Sequence, residues 1–201
     1  MVAPMANDST TAGYLAPTGT VVADDALEDI FTGMVVGIAG IAAGLVRPRW
    51  QTNPPPIPAA SVNWCAIGIT TTTPDANAAI SHSPGLDGEG IDNLLRHEDI
   101  EVMASFYGPQ GQANGLRLRD GLQIAQNRDT LALAGVSFVS AGILRNAPDL
   151  ANQQWIRRYD LLLTFRRAVA RTYNIRNLQS ADGNVSDGST SVDFAVTDGQ
   201  P

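Results

Sequence analysis

The sequence predicts an α+β fold in which a mostly antiparallel sheet of four to five strands carries helices on one face. Three stretches carry that expectation. Over residues 98–106 the chain alternates with period two: Ile100, Val102, Ala104 and Phe106 point one way, Asp99, Glu101, Met103 and Ser105 the other. Gly108-Pro109 breaks the period, and residues 110–134 take helical spacing through Ala113, Leu116, Leu118 and Leu122. Over residues 155–167, Tyr159, Leu161, Leu163 and Phe165 alternate with Asp160, Leu162 and Thr164. A helix there would scatter Arg157-Arg158 and Arg166-Arg167 around its cylinder, so a long strand is expected. A strand that feeds helices folding back over it is the kernel of such a layer.

The remaining elements follow in chain order. Residues 1–23 mix small, polar, Gly and Pro residues without a period and read as an N-terminal arm. Asp24-Asp25 offer an N-cap and an acidic first turn to a helix over residues 25–37. Leu27, Ile30, Phe31, Met34 and Val35 form its apolar stripe. Residues 31–46 are apolar enough to invite a membrane-span reading, and Gly33, Gly37, Gly40 and Gly44 give Gly-x-x-x-Gly spacing. The run is shorter than the ~20 residues a span needs, so a buried helix ending near Gly40 is expected. Residues 46–51 fit a short strand, which Pro48 confines to an edge. Residues 53–58 are a stiff polyproline-like spacer. Residues 62–70 are a strand, apolar on both faces and so central.

Residues 71–93, with Pro74, Pro84, Gly85, Gly88 and Gly90, read as a long projecting hairpin loop that meets a partner. Asn127 is expected to cap a short helix over residues 128–134, ended by Gly135. Residues 136–144 form a strand, residues 146–154 a turn, and residues 168–178 an irregular continuation of the strand before them. The body is therefore expected to occupy residues 24–179. Residues 180–201 form an acidic C-terminal arm, inside which Val192, Phe194 and Val196 alternate as a strand with no place in its own sheet.

Composition narrows the function. A net charge of −7 argues against a nucleic-acid surface built on bulk positive charge. All thirteen basic residues are Arg, which fits either interface use, where planar forks pair carboxylates bidentately, or the codon bias of a GC-rich genome. Arg157, Arg158, Arg166, Arg167 and Arg171 are too many for one buried face, so some are expected to meet carboxylates of a neighbouring subunit. Val192, Phe194 and Val196 join them as interface candidates by adding to a partner's sheet edge, the alternative being a solvated tail. Cys65 is the sole cysteine, so no intrachain disulfide exists, and no secretory signal pattern opens the sequence.

No catalytic signature emerges. His82 and His97 lack companion cysteines for zinc, and Asp87, Glu89 and Asp92 do not match a calcium loop. No nucleophile elbow or phosphate-binding loop is present. No enzyme activity, metal or cofactor is expected.

The run HEDIEVMASFYGPQGQ, followed by LRDGLQIAQNR, resembles tailed-phage neck proteins of the tail-terminator type. GYLAPT, MVVGIAGI, LVRPRWQ, PPPIPA leading into NWCAIGIT, RRYDLLLTFRR and RTYNI fit the same family, over roughly residues 13–178. The resemblance implies a sixfold homo-oligomeric ring, assembled in the host cytoplasm, that caps the head-proximal end of the tail tube in the virion neck. Its partners would be the tube protein, the head-tail connector or stopper proteins and possibly a tail sheath, with no membrane involved. DNA would pass through an acidic lumen without sequence-specific binding. The alternatives are a head-completion or stopper protein of the same joint, or a cytoplasmic ligand-binding or enzymatic α+β domain.

Overall fold

Two long alternating strands set the architecture. The fold is a computed structural model that describes residues 8–86, 88–151 and 153–197. In chain order its elements are α1 (Asp24–Ala39), β1 (Val46–Pro48), β2 (Trp64–Pro74), β3 (Ala79–Pro84), β4 (Gly90–Tyr107), α2 (Gly111–Gly121), α3 (Ala125–Leu133), β5 (Val136–Ala141), β6 (Arg145–Asn146), β7 (Asp149–Ala151), β8 (Gln154–Ile156), β9 (Arg158–Asn174), β10 (Ser180–Ser186) and β11 (Ser191–Thr197). The main sheet runs β1-β2-β4-β9-β5, with β3 also paired to β4 and β6 to β9. Among the described residues β1 and β2 pair in parallel, whereas β2 and β3 with β4, and β5 and β6 with β9, pair antiparallel. The expected α+β architecture is therefore the observed one.

The chain forms two compact units. The larger, residues 22–77 and 96–169, holds the core. Ile100, Val102, Ala104 and Phe106 of β4 and Leu161, Leu163 and Phe165 of β9 are all fully buried, as their alternation requires. Leu27, Phe31, Met34 and Val35 of α1, Leu118 of α2 and Leu131 of α3 close over that face. Phe165 is the hub: Phe31 meets it with ring centroids 4.9 Å apart and Phe138 edge-on at 5.8 Å.

Helix boundaries agree with the sequence at one end and depart at others. α1 stops at Ala39 because Gly40 takes a left-handed φ of 71° and returns its N–H to the Val36 carbonyl. Its N-cap is Ala23, without a side-chain cap bond, so Asp24 and Asp25 act only as first-turn acids favourable to the helix dipole. α2 buries Gly111, Asn114, Gly115 and Leu118 rather than Ala113 and Leu116. Small residues face inward because the helix lies close against the sheet: a Cβ on Gly115 would sit 2.7 Å from Leu144 and 3.2 Å from Phe106. α3 begins at Ala125, three residues before the expected start. Asn127 lies inside it and donates through Nδ2 to the Gly121 carbonyl at 2.8 Å.

The expectation of a long loop over residues 71–93 is overturned. β2 runs on through Thr71, Thr72 and Thr73 to Pro74, pairing with residues 98–107 of β4, and β3 then pairs with residues 90–95 of the same strand. β-branched threonines favour the extended backbone, and both prolines stand at strand ends where they cost no ladder bond. The strands leave residues 75–78 as a short connection and a turn between Pro84 and Gly90, where Gly85 N–H reaches the Glu89 carbonyl.

Two further corrections concern the end of the chain. Residues 146–154 do not form a simple turn, since β7 and β8 pair as a small antiparallel sheet with Leu150 opposite Trp155. The expected strand over residues 155–167 is divided at Arg157, and β9 continues regularly to Asn174. In the smaller unit, Val192, Phe194 and Val196 are not left without a strand partner in their own chain. They face Val185, Gly183 and Ala181 across the β10–β11 hairpin.

Truncating the hub should be costly. Phe165→Ala is expected to lose about 3–5 kcal/mol in a urea titration, as for other large buried aromatics. Arg117→Ala, exposed but donating to the Ala39 carbonyl at 2.8 Å, should lose about 1 kcal/mol. Equal losses at the two positions would show that the core is misplaced.

Candidate functional site

The face of the sheet opposite the helices is polar, and its arginines are mostly occupied. Ser105, fully buried on β4, accepts a hydrogen bond from Arg49 Nη2 at 2.6 Å and donates to Asp160 Oδ1 at 2.5 Å. Arg158 grips Asp160 with Nε at 2.8 Å and Nη2 at 2.7 Å, and reaches Asp149 with Nη1 at 3.0 Å. Burial pushes the Asp160 carboxyl up, but hydrogen bonds from Arg158 and Ser105 outweigh it and hold the group below the usual carboxylate range. The same bonds, with Asp160 foremost, raise the Arg158 guanidinium further above its ordinary value.

The other candidate arginines divide clearly. Arg166 pairs with Asp75 and, at 3.1 Å, with Asp99. Arg167 pairs with Glu98 at 2.5 Å, both side chains only 13% exposed, and donates to the Val22 carbonyl. Arg158, Arg166 and Arg167 thus have carboxylates within their own chain. Arg157 and Arg171 are exposed, and among the described residues neither has an ion-pair partner. Val192, Phe194 and Val196 are 60%, 46% and 63% exposed, lying together on one face of the hairpin.

The smaller unit contains an arrangement that sequence reasoning missed. His82 on β3 stands opposite Asp92 on β4, with Nδ1 at 2.7 Å from Asp92 Oδ1. Its Nε2 lies 2.6 Å from Asn177 Oδ1, and the Asn177 amide is oriented by donating Nδ2 to the Glu89 carbonyl at 2.8 Å. Both ring nitrogens therefore face oxygen acceptors, which only the imidazolium satisfies. The bonds to Asp92 and Asn177 raise the His82 pKa above its ordinary 6.5. Nearby, Arg176 pairs with Glu89 and Asp8. The ten-residue spacing from His82 to Asp92 becomes a signal only once the hairpin is recognised.

No cluster of three or more His, Cys, Asp and Glu able to hold a metal occurs among the described residues. Cys65 is fully buried, and burial drives its thiol far from the reactive range. A groove of about 480 Å³ between α1 and α3 is lined in part by Gly33 and Gly37, which gives their four-residue spacing a place at the surface. No helix among the described residues is long and apolar enough to cross a membrane.

A family model described as phage neck terminator protein matches residues 25–189, which takes in every element from α1 through β10. The chain belongs to the phage neck terminator protein family. It is thereby a virion component of the phage neck. No curated protein sequence matches this terminator-family chain.

His82 supplies a pH test. Because its folded pKa lies above the unfolded value, the stabilisation is fully present below about pH 6.5 and is lost as pH rises through the folded pKa. An NMR titration should place the His82 ring above 6.5, and Asn177→Ala should bring it down. A ring titrating at or below 6.5 in the unsubstituted chain would contradict the imidazolium assignment.

Proposed function

We propose that this neck protein is a ring-forming tail terminator. Copies of the chain close into a sixfold ring on the head-proximal end of the tail tube, stop its growth and present a surface to the head-tail connector. The observation that carries this reading is the family match, which extends over the whole core sheet and its covering helices. The activity is recognition without bond chemistry, in keeping with side chains engaged in ion pairs that hold strands together. A heterologous contact repeated by rotation closes such a ring. The net charge of −7 suits a lumen through which DNA passes, because retention would require cationic groups to neutralise phosphates. Assembly in the host cytoplasm, with the tube protein and the connector or stopper proteins as immediate partners, and possibly a sheath, follows from that position.

Particles made without the chain test this. They should contain tail tubes of uncontrolled length that lack heads, and a tagged chain should restore uniform tails and mark one ring at the tube's upper end. Uniform headless tails would place the chain on the connector side as a stopper. Normal, headed particles would overturn the reading.

A further inference from the structure

The segment that leaves β9 is strapped across the β3–β4 turn, and both lie within the smaller unit. Ile175 donates its N–H to the Gly90 carbonyl at 3.0 Å, and Asn177 to the Gly88 carbonyl at 2.8 Å. The turn is shaped for this close approach. A Cβ on Gly90 would strike the Ile175 carbonyl and stand 2.5 Å from Asn177 Oδ1, and one on Gly88 would stand 3.1 Å from the Gln179 side chain. Between these anchors, Arg176 N–H donates to Ser9 Oγ at 2.6 Å, and its guanidinium pairs with Glu89 and, at 3.3 Å, with Asp8. Farther along, β10 and β11 pair only with each other among the described residues. Residues 175–179 therefore link that hairpin to the β3–β4 turn.

His82 closes the strap. Its ring reaches Asp92 on β4 through Nδ1 and Asn177 of the strap through Nε2. The Asn177 amide is not free to turn over for a neutral ring, because Nδ2 is committed to the Glu89 carbonyl and a flip would set oxygen against oxygen. A neutral imidazole has a single N–H, so one of its two acceptors would face a lone pair. Only the protonated ring fastens both. The charged groups that the contacts place around it are Asp92 from β4, Glu89 from the turn, Asp8 from the N-terminal segment and Arg176 from the strap. Three carboxylates thus share one guanidinium, and the imidazolium supplies the second cation. His82 and Asp92 are 43% and 28% exposed, so the ring trades its proton with bulk water.

We propose that His82 is a proton-operated latch: as imidazolium it fastens residues 175–179, and with them the β10–β11 hairpin, to the β3–β4 turn, and on losing its proton it frees them while the core sheet stays closed. The bond given up is the one to Asn177, since the remaining N–H stays with the carboxylate, the stronger acceptor. The backbone bonds from Ile175 and Asn177 then hold the strap at an edge where water competes for them. The direction follows: the hairpin is held below the folded pKa of His82 and loosened above it.

Amide hydrogen exchange in the full-length chain tests this, with each rate divided by the intrinsic rate at the same pH. Between about pH 5.5 and about pH 8.5 the protection of the Ile175 and Asn177 amides should fall about fivefold, while Val102 and Leu163 in the core keep theirs. His82→Gln, which offers one uncharged donor, should show the low protection at both pH values. Amide nitrogen relaxation should show the β10–β11 hairpin reorienting faster, as one body, wherever the strap is loosened. Protection at Ile175 and Asn177 that ignores pH, a fall shared equally by Val102 and Leu163, a pH step that survives in His82→Gln, or a hairpin whose relaxation does not respond would each overturn the latch. If the variant does not fold, the pH series on the unsubstituted chain decides alone.

Discussion

The fold depends on the pairing of β4 with β9. Eighteen and seventeen residues long, these strands lie side by side at the centre of the sheet. Contacts from Glu98 to Arg167, Asp99 to Arg166 and Ser105 to Asp160 advance along one strand as they retreat along the other, so the pair is antiparallel. Strict alternation then gives each strand two jobs. One row of side chains makes a dry layer under α1, α2 and α3, closed at its rim by the Glu98–Arg167 pair, and the opposite row carries Asp99, Ser105, Asp160 and Arg166. A slip of one residue would exchange the rows, burying Asp160 and exposing Phe165. Register is therefore set twice, by burial on one side and by hydrogen bonding on the other.

That division explains how a chain whose cations are all arginines handles them. A guanidinium fork can satisfy two oxygens while lying flat, and Arg158 does so between Asp160 and Asp149. Arg167 does the same service at the rim of the core, where Glu98 keeps a charge from being stranded in a nearly buried site. The cations available to a partner are those outside this system, among them Arg157 and Arg171. Strand-to-strand ties within the chain thus draw on Arg158, Arg166 and Arg167.

The parts legible in the sequence were those in which one period dominates. The inward row of β4, the inward row of β9 and the end of α1 at Gly40 could all be read from spacing. Legibility failed where the fold used small residues or long-range pairing. The inner side of α2 is made by Gly111, Asn114 and Gly115, which no apolar stripe announces; close approach, not hydrophobicity, selects them. Residues 71–93 hold enough Pro and Gly to look like a loop, yet those residues punctuate strands whose partner lies farther along β4. The arginines of β9 look alike in sequence, and only their neighbours in space separate Arg158, Arg166 and Arg167 from Arg171, which has no ion-pair partner among the described residues. His82 and Asn177 are ninety-five positions apart, so no local pattern could join them.

The central sheet rests on Arg166 and Arg167 of β9 being held by β4 within a single chain. A double-mutant cycle on Glu98→Gln and Arg167→Met, measured by urea unfolding of the full-length chain, tests it most directly. The account predicts a coupling of about 1–3 kcal/mol, since the pair is hydrogen-bonded and largely buried. Losses that simply add, with no coupling, would contradict it.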